Sequence, residues 1–241
     1  MVENIQQHKV YCCSVTSNFV YPDGTYLSYK GMNHFYYEEA DAGAYRIVIR
    51  NRTSEVRNPR NSVADDPIIQ LGNCLFPVSF LLDETGEVKM VENFDEVWAR
   101  RTAKSEELAK QYPTIEFKKY LDISMMNFRD EASLRKKLMS DTFVQVIIPL
   151  LHGNPNFMLH FDNFPKKMSR TSYQLKKEEE EADHVIYKVD SLFPSLDGGY
   201  EKGEAEMFAK DGFFNGFKGV FSVVDKDGLK TQRGLIFQME E

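Results

Sequence analysis

Hydrophobic and polar positions change their period twice along this chain. They alternate up to about residue 92, recur every three to four residues from about 93 to 151, and alternate again from 156 onward. The order is therefore β, then α, then β. Residues 8–21 read as a long strand with Tyr11, Cys13, Val15, Phe19 and Tyr21 on one face, interrupted only by Ser17. Pro22-Asp23-Gly24 is a turn, because proline presets φ and glycine admits positive φ. A short strand at 25–28 and an aromatic stretch, His34-Phe35-Tyr36-Tyr37, follow. Over 45–52 the alternation is clean. Tyr45, Ile47 and Ile49 take one face, and Arg46, Arg50 and Arg52, with Val48, take the other, as in an antiparallel strand covered on one side. Residues 53–67 are polar and read as a loop. Residues 75–82 and 86–92 read as a hairpin around Asp83-Glu84-Thr85-Gly86.

In the middle of the chain, Asn93 or Asp95 caps a predicted helix running to about Gln111. Phe94, Val97, Trp98 and Leu108 form its stripe, on which Arg101 and Ser105 also fall. Pro113 opens a second helix carrying Phe117, Tyr120, Leu121 and Met125 on one side. A third helical stretch covers 130–151, from Leu134 and Leu138 to Val144, Ile147, Ile148 and Leu151, with Pro149 as a kink near its end. Strands are then predicted at 157–162, 171–178, 184–190, 201–210, 213–225 and 229–239. The fold class is α+β: a long curved antiparallel sheet packed on about three central helices. One domain spans 1–241, with a helical insertion at about 93–151.

Composition narrows the function. The chain has 241 residues, of which 42% are hydrophobic, and 18 Phe, 12 Tyr and 1 Trp supply a large core without disulfides or metals. A net charge of −7 lacks the basic surplus that neutralises phosphates, so no nucleic-acid partner is expected. The clusters Arg135-Lys136-Lys137 and Lys166-Lys167 with Arg170 sit among acids and read as solvated faces. Cys12, Cys13 and Cys74 are odd in number and form no CxxC, so they read as free thiols. No segment reaches the roughly 20 apolar residues of a membrane helix, so no membrane span is expected. The N-terminus shows neither a basic nor an apolar signal region. The expected compartment is cytoplasmic, or periplasmic if a signal has been removed.

Catalytic patterns are sparse. None of the five histidines sits in HExxH, and no GxSxG occurs. His160 and Asp162 would share one strand face opposite Phe157, Leu159 and Phe161, and a nucleophile or third ligand would have to arrive from elsewhere. Gly212, Gly216 and Gly219 match no phosphate loop and predict bulges, bends or close backbone approach. Asp225-Lys226-Asp227-Gly228 begins like a calcium loop, but Leu229 and Ile236 occupy its fifth and twelfth positions, so a hairpin is predicted. No cofactor and no metal are expected.

Binding residues are easier to nominate. Glu178, Glu179, Glu180 and Glu181, with Asp183, form an acidic hairpin tip that would attract a basic partner. Arg46 and Arg50, on the arginine face that also holds Arg52 and precedes Arg57 and Arg60, would attract an acidic one. The strand at 213–225 is apolar on both faces, with Phe213, Phe217, Phe221 and Val223 on one and Phe214, Val220 and Val224 on the other. The strand at 229–239 aligns Leu229, Leu235, Phe237 and Met239. A strand apolar on both sides is covered on both sides, by protein or by a ligand. Trp98, Phe217, Phe221 and Phe237 are therefore the candidate lining of an apolar cavity.

The order of elements resembles the lipoprotein-localisation-factor-like half-barrel family. The residues carrying the resemblance are Asp83-Glu84-Thr85-Gly86-Glu87-Val88 leading to Asn93 and a helix, and the Asp225–Gly228 hairpin. The resemblance implies a curved antiparallel sheet wrapped around helices, enclosing a cavity for acyl chains. The leading functional expectation is a non-enzymatic binding protein with a protein partner: an adaptor, a chaperone-like protein or a toxin inhibitor. The alternative is a carrier of an apolar small molecule or lipid. A third reading is a hydrolase or metal enzyme built on His160 and Asp162.

Overall fold

The computed structural model describes residues 9–40, 44–57, 65–83, 85–126, 128–151, 156–162, 164–165, 169–181, 183–192, 200–210 and 213–240. The first strands are β1 (Tyr11–Val20), β2 (Tyr26–Glu39) and β3 (Tyr45–Arg57). Helix α1 (Asp65–Asn73) precedes β4 (Val78–Leu82) and β5 (Val88–Val91). Helices α2 (Phe94–Gln111), α3 (Ile115–Met126), α4 (Glu131–Met139) and α5 (Thr142–Leu151) follow. The remaining strands are β6 (Phe157–Asp162), β7 (Arg170–Glu181), β8 (His184–Ser191), β9 (Tyr200–Lys210), β10 (Phe213–Val224) and β11 (Lys230–Glu240).

All eleven strands belong to one antiparallel sheet, ordered β5-β4-β3-β2-β1-β11-β10-β9-β8-β7-β6. It is curved and not closed, and the fold class is α+β. Two meanders run outward from the centre, where the first and last strands pair, Val15 opposite Phe237 and Ser17 opposite Leu235. The segment from α2 to α5 leaves one edge at β5 and re-enters at the other edge, β6. This is the half-barrel architecture that the resemblance implies.

Hairpin chemistry is repeated. Asp83 and Asp225 each accept backbone N–H bonds from two and four residues on, at 2.9–3.0 Å. Gly86 and Gly228 take φ of 83° and 78°, which a side chain would resist. The Asp225 loop is thus a hairpin turn, as its fifth and twelfth positions predicted.

Helices cap the two open edges. The buried Gln145 of α5 receives the His160 N–H at 2.6 Å and returns a bond to the His160 carbonyl at 3.1 Å, behaving like one residue of a further strand. At the opposite edge, Glu131 of α4 accepts the Val91 N–H at 2.9 Å. Both contacts occupy backbone groups that would otherwise invite strand addition.

Several boundaries differ from the sequence reading. The region read as a loop at 53–67 splits: 53–57 continues β3, because β2 is long enough to pair Ser28 with Arg57, while 65–67 opens α1. Residues 58–64 lie outside those described. Among the described residues, the helical middle, read as about three helices, is divided into four between β5 and β6. The third predicted stretch breaks at Ser140, whose N–H closes α4 onto Lys136 and Lys137, and restarts at Asp141, which accepts bonds from Phe143 and Val144. Helix α3 begins after Thr114, which caps the Phe117 N–H at 3.2 Å, rather than at Pro113. Helix α1 carries Leu71 into a small second core with Leu108 and Leu121. On the α2 stripe, Arg101 is buried as the pattern placed it, donating to the Leu71 carbonyl and Ser124 Oγ with its guanidinium 4.0 Å from the Phe128 ring centre. The cysteines are free; Cys13 is fully buried, and burial pushes its thiol up to about 12.

Candidate functional site

Each strand presents one face to the helices, here the inner face. On β1 that face carries Cys13, Val15, Ser17 and Phe19; on β11 it carries Thr231, Arg233, Leu235 and Phe237. On β2 it carries Leu27, Tyr29, Gly31, Asn33, Phe35 and Tyr37.

The arginine face read on β3 is divided by a bulge. Between His34 and Phe35 of β2 the register skips one residue of β3, so Ile49 faces Phe35 but Arg52 faces Asn33. The extra residue inverts the alternation. Arg46 and Arg50 stay on the outer face, whereas Arg52 turns inward, against the expectation that all three share a side.

The inward turn produces an ion pair at the start of α5. Arg52 Nη1 and Nη2 donate to the two carboxylate oxygens of Asp141 at 2.6 and 3.0 Å, and Nε donates to Asn33 Oδ1 at 2.5 Å. The guanidinium also lies 4.9 Å from the Phe76 ring centre and 5.8 Å from that of Phe143. Burial pushes the Asp141 carboxyl up, but the Arg52 charge and the bonds to Arg52, Val144 and Phe143 outweigh it, leaving the group below the usual carboxylate range. Burial pulls Arg52 down, but the Asp141 charge and the bonds to Asp141 and Tyr29 outweigh it and keep the guanidinium above its ordinary value.

Arg233 approaches from β11. Its Nη2 donates to Thr142 Oγ1 at 3.0 Å and its Nε to Ser17 Oγ at 3.3 Å. Its guanidinium lies 4.3 Å from the Phe161 ring centre and 4.7 Å from that of Phe19. Burial pulls it down to about 10, with Asp141 and Asp162 acting against that at a distance. Among the described residues Arg233 has no ion pair.

A cavity of about 310 Å³ opens among these groups. Val15, Phe19, Leu27, Val56 and Phe143 supply apolar walls; Ser17, Tyr29, Asn33, Arg52, Asp141, Thr142 and Arg233 supply polar ones. The volume is at the lower end of the roughly 300–1,000 Å³ common for small-molecule sites.

The residues nominated from sequence lie elsewhere. Phe217, Phe221 and Phe237 are buried, but in packed core: Phe217 meets Phe157, Tyr187 and Phe237, and Phe221 meets Phe161 and Tyr173 at ring separations of 4.9 Å. Trp98 is partly buried against the same core and stacks on Phe94. None of the four lines the cavity, because neighbouring rings fill the space around them. The structure thus brings together three of the four, as core.

Of the outer-face nominees, Arg46 is half-buried, Arg50 and Glu178–Glu181 are exposed, and most are engaged. Arg46 bridges Glu38 at 2.5 Å and Glu92 at 2.7 Å. Arg50 lies over the Tyr36 ring at 5.2 Å. Glu178–Glu181 belong to the end of β7 rather than to a loop, with a bulge at Glu178 and an ion pair between Lys177 and Glu180. Of these, Glu178 borders an outer groove of about 550 Å³ containing Ile186, Lys188, Glu206, Lys218 and Val220.

His160 and Asp162 do share the outer face of β6. His160 Nδ1 bonds Ser172 Oγ at 2.7 Å, and burial lowers its basicity; Asp162 faces Arg170 at 3.7 Å. Ser172 is itself buried. Among the described residues, no group of three or more His, Cys, Asp or Glu is placed to hold a metal ion. Among the described residues, no helix is long and apolar enough to cross a membrane.

Glycine spacing finds its reason here too. A Cβ on Gly219 would stand 2.8 Å from Phe221 Cε2, so this position leaves room for the ring. Gly216 sits at a bulge in β10, which turns Phe214 toward the core rather than to the outer face. Gly212 lies outside the described residues. Leu229, read as part of an apolar strand face, precedes β11 in the turn and is exposed.

Sequence reasoning missed Arg233, Asn33, Asp141 and Thr142. One signal was available: polar residues at inner positions of otherwise apolar strands, Ser17 on β1 and Thr231 and Arg233 on β11.

No protein-family description and no curated protein matches this chain. Six chains of solved structures match. One of them, described as showing lipid–protein interactions in lipovitellin, is 10% identical with a TM-score of 0.42. The match covers 99% of this chain and 26% of that one, so this chain spans about a quarter of its length.

Proposed function

We propose that this protein is a non-enzymatic carrier that holds a small apolar molecule between the inner face of the sheet and the start of α5. The observation that supports this is the 310 Å³ cavity beside β1, β2, β3 and β11. Five apolar side chains wall it, while the aromatic core next to it is closed. Burying an apolar chain there gains roughly 25 cal/mol per Å² removed from water.

The test is uptake of N-phenyl-1-naphthylamine, a neutral probe whose fluorescence rises in apolar surroundings. Saturable uptake at one site is expected, and Val56→Phe, which projects a ring into the cavity, should reduce it at least tenfold. Absent uptake, or equal uptake by a folded Val56→Phe, would overturn the reading.

A second reading, docking of a basic protein segment, is supported by the outer groove beside Glu178. Reversing Glu178–Glu181 to lysine should then abolish, at low salt, a complex recovered from the native host.

A further inference from the structure

The cavity's charge does not balance. Arg52 and Arg233 both reach it, and Asp141 is the carboxylate that lines it. Asp141 gives both of its oxygens to Arg52. Arg233 is held instead by two neutral hydroxyls, Ser17 and Thr142, through Nε and Nη2, and no described residue receives Nη1. Its guanidinium lies over the rings of Phe19 and Phe161. Two aromatic contacts and two hydroxyl bonds fix the plane of the guanidinium, while its charge stays without a counter-ion among the described residues.

A half-buried cation in that state is an incomplete pair. Replacing it by a neutral group would relieve the desolvation, whereas an incoming anion would complete it. The guanidinium fork matches the geometry of a carboxylate. The start of α5 adds a favourable field for negative charge, although Asp141 already occupies the first N–H groups of that helix.

We propose that the ligand is an anionic amphiphile, a carboxylate on an apolar chain, whose head is received by Arg233 and whose chain lies along Phe19, Leu27 and Val56. This rests on the carrier reading and sharpens it. Arg52 is the positioning residue: locked to Asp141, it holds the start of α5, and hence Thr142, against Arg233.

The experiment compares three ligands of one chain length by displacement of N-phenyl-1-naphthylamine from the whole protein: decanoate, decan-1-ol and decyltrimethylammonium. Decanoate should displace the probe at a concentration at least tenfold below that of decan-1-ol, with the cation weakest. Arg233→Gln should bring the decanoate-to-decanol ratio close to one. Equal potency of decanoate and decan-1-ol in the wild type would overturn the headgroup assignment and leave the carrier reading standing. A wild-type preference for the cation would also overturn the assignment. Failure to bind the probe or any of the three would overturn both. If Arg233→Gln does not fold, as judged by circular dichroism, the wild-type series alone decides.

Discussion

The inner face of the sheet has two halves that solve burial in opposite ways. Across β6 to β10, rings of Phe157, Phe161, Tyr173, Phe217 and Phe221 interlock, with Phe161 and Phe221 edge to face at 4.9 Å. Gly219 leaves the space that Phe221 and Phe217 fill, and Gly203 leaves the space of Val189 beside Phe221. Across β1, β2 and β3, with the start of β11, the same face holds Ser17, Gly31, Asn33, Arg52 and Arg233. There the contacts are hydrogen bonds with fixed directions, and directed contacts cannot be rearranged to fill volume as rings can. The aromatic half is therefore closed, and the polar half keeps a cavity and a charge. The lesson is that the densest cluster of aromatics marks the core of this half-barrel, while interruptions in the apolar stripe mark its binding space.

Three measurements would break or sharpen that contrast. The largest effect belongs to Phe221→Ala, which empties a fully buried position between Phe161 and Tyr173. A loss of about 3–5 kcal/mol in urea unfolding is expected, and a loss below about 1 kcal/mol would show that this half is not tightly packed.

Next comes Asp141→Asn, which leaves Arg52 without its counter-charge. Because the Asp141 side chain is 27% exposed, the expected cost is about 2–4 kcal/mol, below that of a wholly buried pair. The pH dependence has a definite sign. The Asp141 carboxyl is held lower in the folded protein than in the unfolded chain. Its contribution is thus present above the unfolded value of about 4 and is lost as pH falls through the folded one. Wild type should lose stability in acid more steeply than Asp141→Asn; parallel curves would remove the ion pair from the account.

The smallest pair of effects is the most discriminating. Gly219→Ala forces a methyl group against Phe221 and should cost about 1–3 kcal/mol. Val56→Phe adds more volume, but into the cavity, and should change stability by about 0.5 kcal/mol or less in differential scanning calorimetry. Equal costs would erase the distinction between the halves.

Much of this architecture was legible in the chain. Alternation placed the six C-terminal strands within a few residues of their observed ends, and helical periodicity placed α2 from Phe94 to Gln111. Asp-x-x-Gly marked two hairpins, since that spacing puts a carboxylate under two N–H groups and a glycine at positive φ. The candidate site was far less legible. Aromatic residues drew attention to Phe217, Phe221 and Phe237, yet a ring lines a cavity only when its neighbours fail to reach it. Nothing local to those residues reports that.

The sequence by itself determined the β–α–β order, the inner and outer faces of most strands and the turns, because each depends on residues a few positions apart. Tertiary structure alone decided that β1 pairs with β11, that Gln145 and Glu131 cap the sheet edges, and that one bulge in β3 turns Arg52 inward to meet Asp141. These depend on contacts between residues up to more than two hundred positions apart, and a single extra residue in a strand reverses every face beyond it. The cavity exists where such long-range placements coincide, so its charge imbalance became visible only once the strands were assembled.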